Sequence, residues 1–139
     1  MMPVMNITIA YLISAYKDEK QLLRLITSLD ENAYFFIHID KKSSFSPSFY
    51  LQLKSKNNIF LTPRRFYVNW GSFAQVLYQK ELLELALSCG IKFNRLVCLS
   101  GQDYPIWSNA KIRKEFEENP QKEYIAGYNI TKNNNKRIE

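Results

Sequence analysis

Apolar and polar positions along this chain alternate in blocks that predict strands and helices in turn. Short apolar runs rich in β-branched and aromatic residues predict five strands, the last of them weak. They cover residues 7–14, 34–39, 59–61, 95–99 and 124–126. Blocks with apolar residues at helical spacing lie between these runs. Because strands alternate with helices, the pattern predicts an α/β fold with a mainly parallel, doubly wound sheet.

Capping signals set the boundaries of four predicted helices. Asp18 and Ser72 each precede a glutamine by three residues, which is typical of a capping box at a helix start. Ser46 is followed by a proline and predicts a short second helix. Gly90 is predicted to follow the end of the long third helix, and Ser108 is predicted to cap the fourth.

Length and charge narrow the class of protein. The 139 residues suit one α/β domain, residues 1–139, with the polar segment 129–139 as a loop or linker. The net charge of +6 suits an anionic ligand or an anionic membrane surface, but not the dense basic patch of a nucleic-acid binder. No apolar run approaches the roughly 20 residues of a membrane span, and the N-terminus does not resemble a signal peptide. We therefore expect a cytoplasmic protein, with peripheral attachment to the inner face of the membrane as an alternative.

Several common catalytic motifs are missing from the sequence. It contains no glycine-rich phosphate loop, no Asp-x-Asp pair and only one histidine, so no metal ion is expected. Ser100 lacks the glycine framing of a hydrolase nucleophile. His38 lies in an apolar strand and is interpreted as a packed or hydrogen-bonded sheet residue. Cys89 and Cys98 are predicted to be buried free thiols in a reducing compartment.

Polar and aromatic residues follow the predicted strands at their carboxyl ends, where open α/β sheets bind ligands. Tyr16 follows the first strand and offers a ring for stacking. Asp40 ends the second strand, where a carboxylate accepts hydrogen bonds from a ribose or a base N–H. The loop after the third strand carries two arginines and several aromatic residues, and Asp103 follows the fourth strand. Together these features predict a nucleotide-sugar pocket.

Each candidate also has a purely structural interpretation. Asp40 and Asp103 are residue types that commonly organise turns. Trp70 precedes a predicted helix and suits a core anchor as well as a binding site. Arg64 and Arg65 suit a solvated loop as well as a phosphate. The coincidence of these residues at strand ends favours the functional interpretation.

Four sequence blocks, in their order and spacing, resemble a known family. They are AYLISAYK at 10–17, FIHIDKK at 36–42, YVNWGS at 67–72 and LSGQDYPI at 99–106. In combination they resemble the N-terminal half of core-2/I-branching glycosyltransferases, a family that includes protein xylosyltransferases. The resemblance covers residues 7–128. It implies a GT-A-like fold that binds a UDP-sugar and transfers a GlcNAc or xylose-like sugar to a glycan or glycoconjugate hydroxyl with inversion and without a metal ion.

The resemblance also assigns site residues by position. The donor-binding residues it implies are Ser14, Ala15, Tyr16, Asp40, Tyr67, Val68, Asn69, Trp70 and Asp103, while Arg64 and Arg65 are the candidates for phosphate. Many bacterial relatives have histidine at the position of Tyr16. The family's catalytic base lies in its C-terminal half, so this chain is expected to supply the donor-binding half only. A non-catalytic nucleotide-binding or scaffolding module and a basic RNA-binding domain are the alternatives.

Overall fold

The computed structural model describes residues 7–126 and contains four strands and four helices within them. The strands are β1 (Ile9–Ala15), β2 (Tyr34–Ile39), β3 (Ile59–Leu61) and β4 (Arg95–Ser100). The helices are α1 (Glu19–Ser28), α2 (Pro47–Lys54), α3 (Ala74–Ser88) and α4 (Asn109–Glu118). The predicted tail at 129–139 lies outside the described residues.

The four strands form one sheet in the order β3-β2-β1-β4, and every pairing is parallel. The chain therefore steps from β1 to β3 in one direction and then returns to place β4 on the other side of β1. With right-handed crossovers, this reversal puts α1 and α2 on one face of the sheet and α3 on the opposite face. The predicted parallel, doubly wound α/β sheet is confirmed, and its topological switch point lies between β1 and β4.

Two apolar clusters cover the two faces, because successive side chains of a strand point in opposite directions. Tyr11 and Ile13 of β1 belong to the larger cluster, which includes buried residues of α1 and α2 and is flanked by side chains of α4. Leu12 of β1 and Phe36 of β2 belong to the smaller cluster beneath α3. Apolar residues on both faces explain why β1 and β2 are continuous apolar runs in the sequence.

Three of the predicted helix starts are confirmed by side-chain caps. Asp18 Oδ1 accepts a hydrogen bond from the Gln21 amide at 3.0 Å, and the hydroxyls of Ser46 and Ser108 cap α2 and α4 in the same way. The predicted capping box at Ser72 is wrong. The Ser72 carbonyl, rather than its hydroxyl, accepts the Gln75 amide at 3.2 Å, and the hydroxyl is buried without a partner within the described residues.

Residues 124–126 do not form the predicted fifth strand. The Tyr124 ring instead packs edge-on against Phe116 of α4, with ring centroids 5.6 Å apart. Its hydroxyl donates to Glu115 Oε1 at 3.0 Å. These contacts hold the segment against α4, and it does not join the sheet.

The expected burial of both cysteines is also corrected. Both thiols are free, but Cys89 is half-buried and Cys98 is exposed. Cys98 lies on the α3 side of β4, whereas the main contacts of α3 with the sheet are to β1 and β2. Within residues 7–126, none of the helices is long and apolar enough to cross a membrane.

Candidate functional site

A cleft of about 240 Å³ opens at the carboxyl ends of β1, β2 and β4. We refer to it as the strand-end cleft. Its wall consists of Ser14, Ala15, Tyr16, Lys17, His38, Asp40, Val68, Tyr78, Ser100, Gly101 and Gln102. It therefore lies at the topological switch point, where the loops after adjacent parallel strands diverge and leave room for a ligand.

Asp40 is buried where β2 ends, and both of its carboxylate oxygens have partners. Oδ1 accepts the Lys42 amide at 3.0 Å and the Val68 amide at 3.4 Å. Oδ2 lies 3.5 Å from the Lys42 ammonium. The turn interpretation of Asp40 is thus correct for Oδ1. Because a carboxylate oxygen has more than one lone-pair direction, the same side chain can still accept a hydrogen bond from a ligand in the cleft.

The loop between β3 and α3 is fastened to the end of β2. Arg65 donates from Nε to the Ile39 carbonyl at 2.9 Å and from its terminal nitrogen to the Asp40 carbonyl at 2.7 Å. The Lys41 amide donates to the Phe66 carbonyl at 3.0 Å. These bonds bring Val68 to the cleft wall.

Arg64 and Glu81 form a two-point ion pair between this loop and α3. The guanidinium donates to the two carboxylate oxygens at 3.2 and 2.8 Å. This hydrogen bonding holds the pKa of Glu81 below its ordinary value. The guanidinium groups of Arg64 and Arg65 are both engaged within the protein, so their phosphate-binding role stays a prediction.

His38 is an internal part of the cleft wall. Its Nε2 accepts the Phe66 amide at 3.0 Å, and its ring stacks between those of Phe66 and Tyr78 at centroid distances of 5.9 and 5.0 Å. Burial lowers the pKa of His38 to about 4. The imidazole is therefore neutral near pH 7, and because Nε2 accepts a hydrogen bond, the proton is on Nδ1. The prediction of a packed, hydrogen-bonded sheet residue is confirmed.

The loops after β1 and β4 are joined across the switch point. The Gly101 amide donates to the Ser14 carbonyl at 2.8 Å, and Gln102 Nε2 donates to the Lys17 carbonyl at 3.2 Å. Asp103 Oδ2 accepts the Ser100 amide at 2.7 Å. Asp103 thus organises the turn after β4, and the turn places Ser100 and its two successors at the cleft.

Several predicted binding residues lie outside the cleft wall. Tyr16 contributes to the wall and is 48% exposed, whereas Tyr67 is 57% exposed and Trp70 is 97% exposed. The core-anchor interpretation of Trp70 is therefore wrong. Like Tyr67 and Trp70, Asn69 belongs to the loop beside the cleft and not to its wall.

The structure brings together Ser14, Ala15, Tyr16, Asp40 and Val68 among the predicted site residues. Sequence reasoning missed Tyr78. This residue belongs to α3 and reaches the cleft from the face of the sheet that α3 covers, opposite to α1 and α2. Sequence reasoning also gave Lys42 no role in the site, although its ammonium lies 3.5 Å from the Asp40 carboxylate. Only the basic residue two positions after the strand-end aspartate hinted at this pair. In residues 7–126, no group of three or more His, Cys, Asp or Glu side chains is placed to hold a metal ion.

The fold and the strand-end cleft define a parallel α/β protein with a candidate ligand site at its topological switch point. A family model described as Core-2/I-Branching enzyme matches residues 9–139. The chain belongs to this family, which is a family of glycosyltransferases.

Xylosyltransferases are among the similar proteins. Xylosyltransferase 2 of Rattus norvegicus is 25% identical over 126 residues, which cover 88% of this chain and 15% of the relative. A xylosyltransferase of Caenorhabditis briggsae is 28% identical over 84% of this chain and 15% of its own length. One from Drosophila melanogaster is 27% identical over 78% of this chain and 13% of its own length. The chain therefore spans about one-seventh of the length of these relatives.

Proposed function

We propose that this chain is the donor-binding part of a glycosyltransferase that transfers a sugar from a UDP-sugar to a hydroxyl of a glycan or glycoconjugate. The observation that carries the proposal is the strand-end cleft, which combines a buried carboxylate, Asp40, with a half-exposed ring, Tyr16. Membership in the Core-2/I-Branching family supports sugar transfer as the reaction. The names of the matched xylosyltransferases support a xylose-like donor, and a GlcNAc-like donor is the alternative that the resemblance of the sequence implies.

The size of the cleft favours the uridine as the part of the donor that it binds. Small-molecule pockets commonly measure about 300–1,000 Å³. This cleft, at about 240 Å³, is smaller than that range and therefore suits one part of the donor rather than the whole UDP-sugar. Asp40 would accept a hydrogen bond from the uracil N–H or a ribose hydroxyl. Tyr16 would stack on the base, while Ser14 and Ala15 allow close approach of the backbone because their side chains are small.

The remaining chemistry depends on residues outside the strand-end cleft. Expulsion of UDP develops negative charge on the diphosphate, and a metal-independent enzyme neutralises this charge with cationic side chains. Arg64 and Arg65 stay the candidates for this role within the described residues, and the family resemblance assigns further cations to the C-terminal half of the family. The base that deprotonates the acceptor is assigned there too. Direct displacement by the acceptor would invert the anomeric carbon.

Isothermal titration of the chain with UDP tests donor binding. UDP is expected to bind more tightly than ADP, and EDTA is expected to leave its affinity unchanged because the proposed site needs no metal. Equal affinity for UDP and ADP would contradict a uridine site.

A parallel assay with UDP-GlcNAc and UDP-xylose should detect transfer by a protein extended to about twice this length, but not at a comparable rate by residues 1–139. Equal rates would place the catalytic groups within this chain.

Tyr16→Ala is expected to weaken UDP binding by about five- to 150-fold, because stacking of a base on an aromatic ring contributes about 1–3 kcal/mol. Tyr104→Ala is the matched control. Tyr104 is 49% exposed and lies under the Arg24 guanidinium at 4.7 Å, much as Tyr16 is 48% exposed and lies under the Lys42 ammonium at 4.8 Å. Tyr104 is not in the cleft wall, so its replacement should leave the dissociation constant unchanged. Similar losses in the two variants would remove Tyr16 from the site.

A further inference from the structure

We propose that Lys42 is a positioning residue of the UDP site and that its ammonium holds together three segments of the cleft wall. The inference rests on the proposed function. The segments are the end of β1, the end of β2 and the loop between β3 and α3. Lys42 acts on the ligand through Tyr16, Asp40 and Val68 rather than by direct contact.

The contacts of one ammonium group carry this inference. Lys42 Nζ lies 3.5 Å from Asp40 Oδ2 and donates a hydrogen bond to the Val68 carbonyl. It also lies 4.8 Å from the centroid of the Tyr16 ring and 5.5 Å from that of the Tyr67 ring. A cation within about 6 Å of a ring centroid is attracted to the negative face of the ring. We call these five residues the Lys42 cluster.

The burial of the Lys42 side chain distinguishes this cluster from an ordinary surface ion pair. The side chains of Lys42 and Asp40 are 27% and 7% exposed. Solvent therefore screens this attraction less than it screens exposed pairs. The charge of Lys42 is balanced by Asp40 and its ammonium is directed to groups of the protein, so positioning is favoured over direct phosphate binding.

Three of the four partners of Lys42 also form the cleft wall. Tyr16, Asp40 and Val68 line the cleft, whereas Tyr67 lies beside it. Within the cluster, Lys42 contacts both carboxylate oxygens of Asp40. Its backbone amide donates to Oδ1, and its ammonium pairs with Oδ2. Loss of the ammonium would release the Tyr16 ring and the Val68 carbonyl together, and the cleft would lose its shape for the base.

Lys42→Met tests this role because it keeps an unbranched stem and removes the charge. We expect its UDP dissociation constant to rise about tenfold, which corresponds to the loss of one or two partly buried cation–π contacts. Lys42→Arg should stay within about threefold of the wild-type constant, since a guanidinium also stacks on rings and pairs with carboxylates. Lys41→Met is the matched control. Lys41 is exposed, and its side chain makes no ion pair within the described part of the chain.

A double-mutant cycle separates positioning from a general loss of stability. Because Lys42 is proposed to act partly through the Tyr16 ring, Lys42→Met should weaken UDP binding much less in a Tyr16→Leu background than in the wild type. Independent, multiplicative losses would overturn the proposal, as would a wild-type constant for Lys42→Met. The thermal unfolding temperature of each variant is measured in parallel without ligand. If Lys42→Arg unfolds at the wild-type temperature but binds UDP as weakly as Lys42→Met, the proposal is also overturned.

A ligand-free measurement distinguishes failure of this inference from failure of the proposed function. In the NMR spectrum of the unliganded protein, the ε-methylene protons of Lys42 should be shifted upfield by the rings of Tyr16 and Tyr67. The shift should decrease in Tyr16→Leu. If the shift is present but the wild type does not bind UDP, the proposed function fails and the positioning role for UDP falls with it. If UDP binds but the shift is absent, the inference about Lys42 alone fails.

Discussion

Replacement of Phe36 by alanine is expected to lower the free energy of unfolding by about 3–5 kcal/mol, the usual cost of truncating a buried phenylalanine. Phe36 is fully buried at the centre of the smaller apolar cluster. Its ring stacks on Phe60 at a centroid distance of 5.1 Å and meets the edge of Phe93 at 5.6 Å. Neighbouring rings cannot fill the space that the substitution leaves. Urea unfolding followed by circular dichroism measures the loss.

The matched control for Phe36 is Leu87→Ala on α3. Leu87 is 75% exposed, and alanine has the higher helix propensity, so its replacement should change the free energy of unfolding by no more than about 0.5 kcal/mol. A loss below about 1 kcal/mol for Phe36→Ala would show that α3 does not form a tightly packed second layer. That result would also weaken the site, because α3 carries the Tyr78 wall of the cleft.

The parts of the fold that the sequence predicted are those determined by local physics. The apolar runs at 34–39 and 59–61 match β2 and β3 residue for residue. Asp18 and Ser46 act as caps because a short polar side chain reaches an amide three residues later without help from the rest of the protein. Parallel pairing followed from the alternation of strands and helices.

The errors fall where distant residues decide the structure. Tyr124 has the composition of a strand but packs on Phe116 of α4, a competition that propensity does not include. Ser72 matches a capping motif, yet its hydroxyl is buried and the helix begins without a side-chain cap. Burial of Cys98 required a helix packed closely over β4, whereas α3 packs mainly on β1 and β2.

The same distinction applies to the candidate site. Asp40 and Ser14 were predictable because parallel strands end at one edge of the sheet, so strand-end residues meet there whatever their separation in sequence. Tyr78 was not predictable in this way because its position depends on how α3 crosses the sheet. The role of Lys42 depends on a carbonyl 26 residues away, that of Val68, and no local pattern encodes that contact.

Acidification is expected to destabilise the protein between pH 6.5 and 4 through His38, the only histidine in the chain. Burial lowers the pKa of His38 in the folded protein to about 4, whereas an unfolded chain has the ordinary value of 6.5. Arg65 lowers this pKa further, and the negative charges of Asp40 and Glu81 oppose the shift. Between the two values the unfolded state binds more protons than the folded state, so stability is full above pH 6.5 and decreases as the pH falls. The loss is on the order of 2–3 kcal/mol at pH 4.

His38→Gln isolates this effect because it removes the titrating group and keeps an acceptor for the Phe66 amide. The free energy of unfolding, measured in urea at intervals from pH 7 to 4.5, should fall for the wild type and stay nearly constant for the variant. Glu81 does not affect this comparison. Its pKa in the folded protein is lowered from 4.5, so its contribution to the free energy of unfolding is lost mainly below the pH range of the measurement. Equal slopes for the two proteins would mean that the His38 ring is solvated and titrates normally. If the slopes differ as expected, acid also acts on the cleft, because a protonated Nε2 cannot accept the Phe66 amide that helps to hold the adjoining loop at the end of β2.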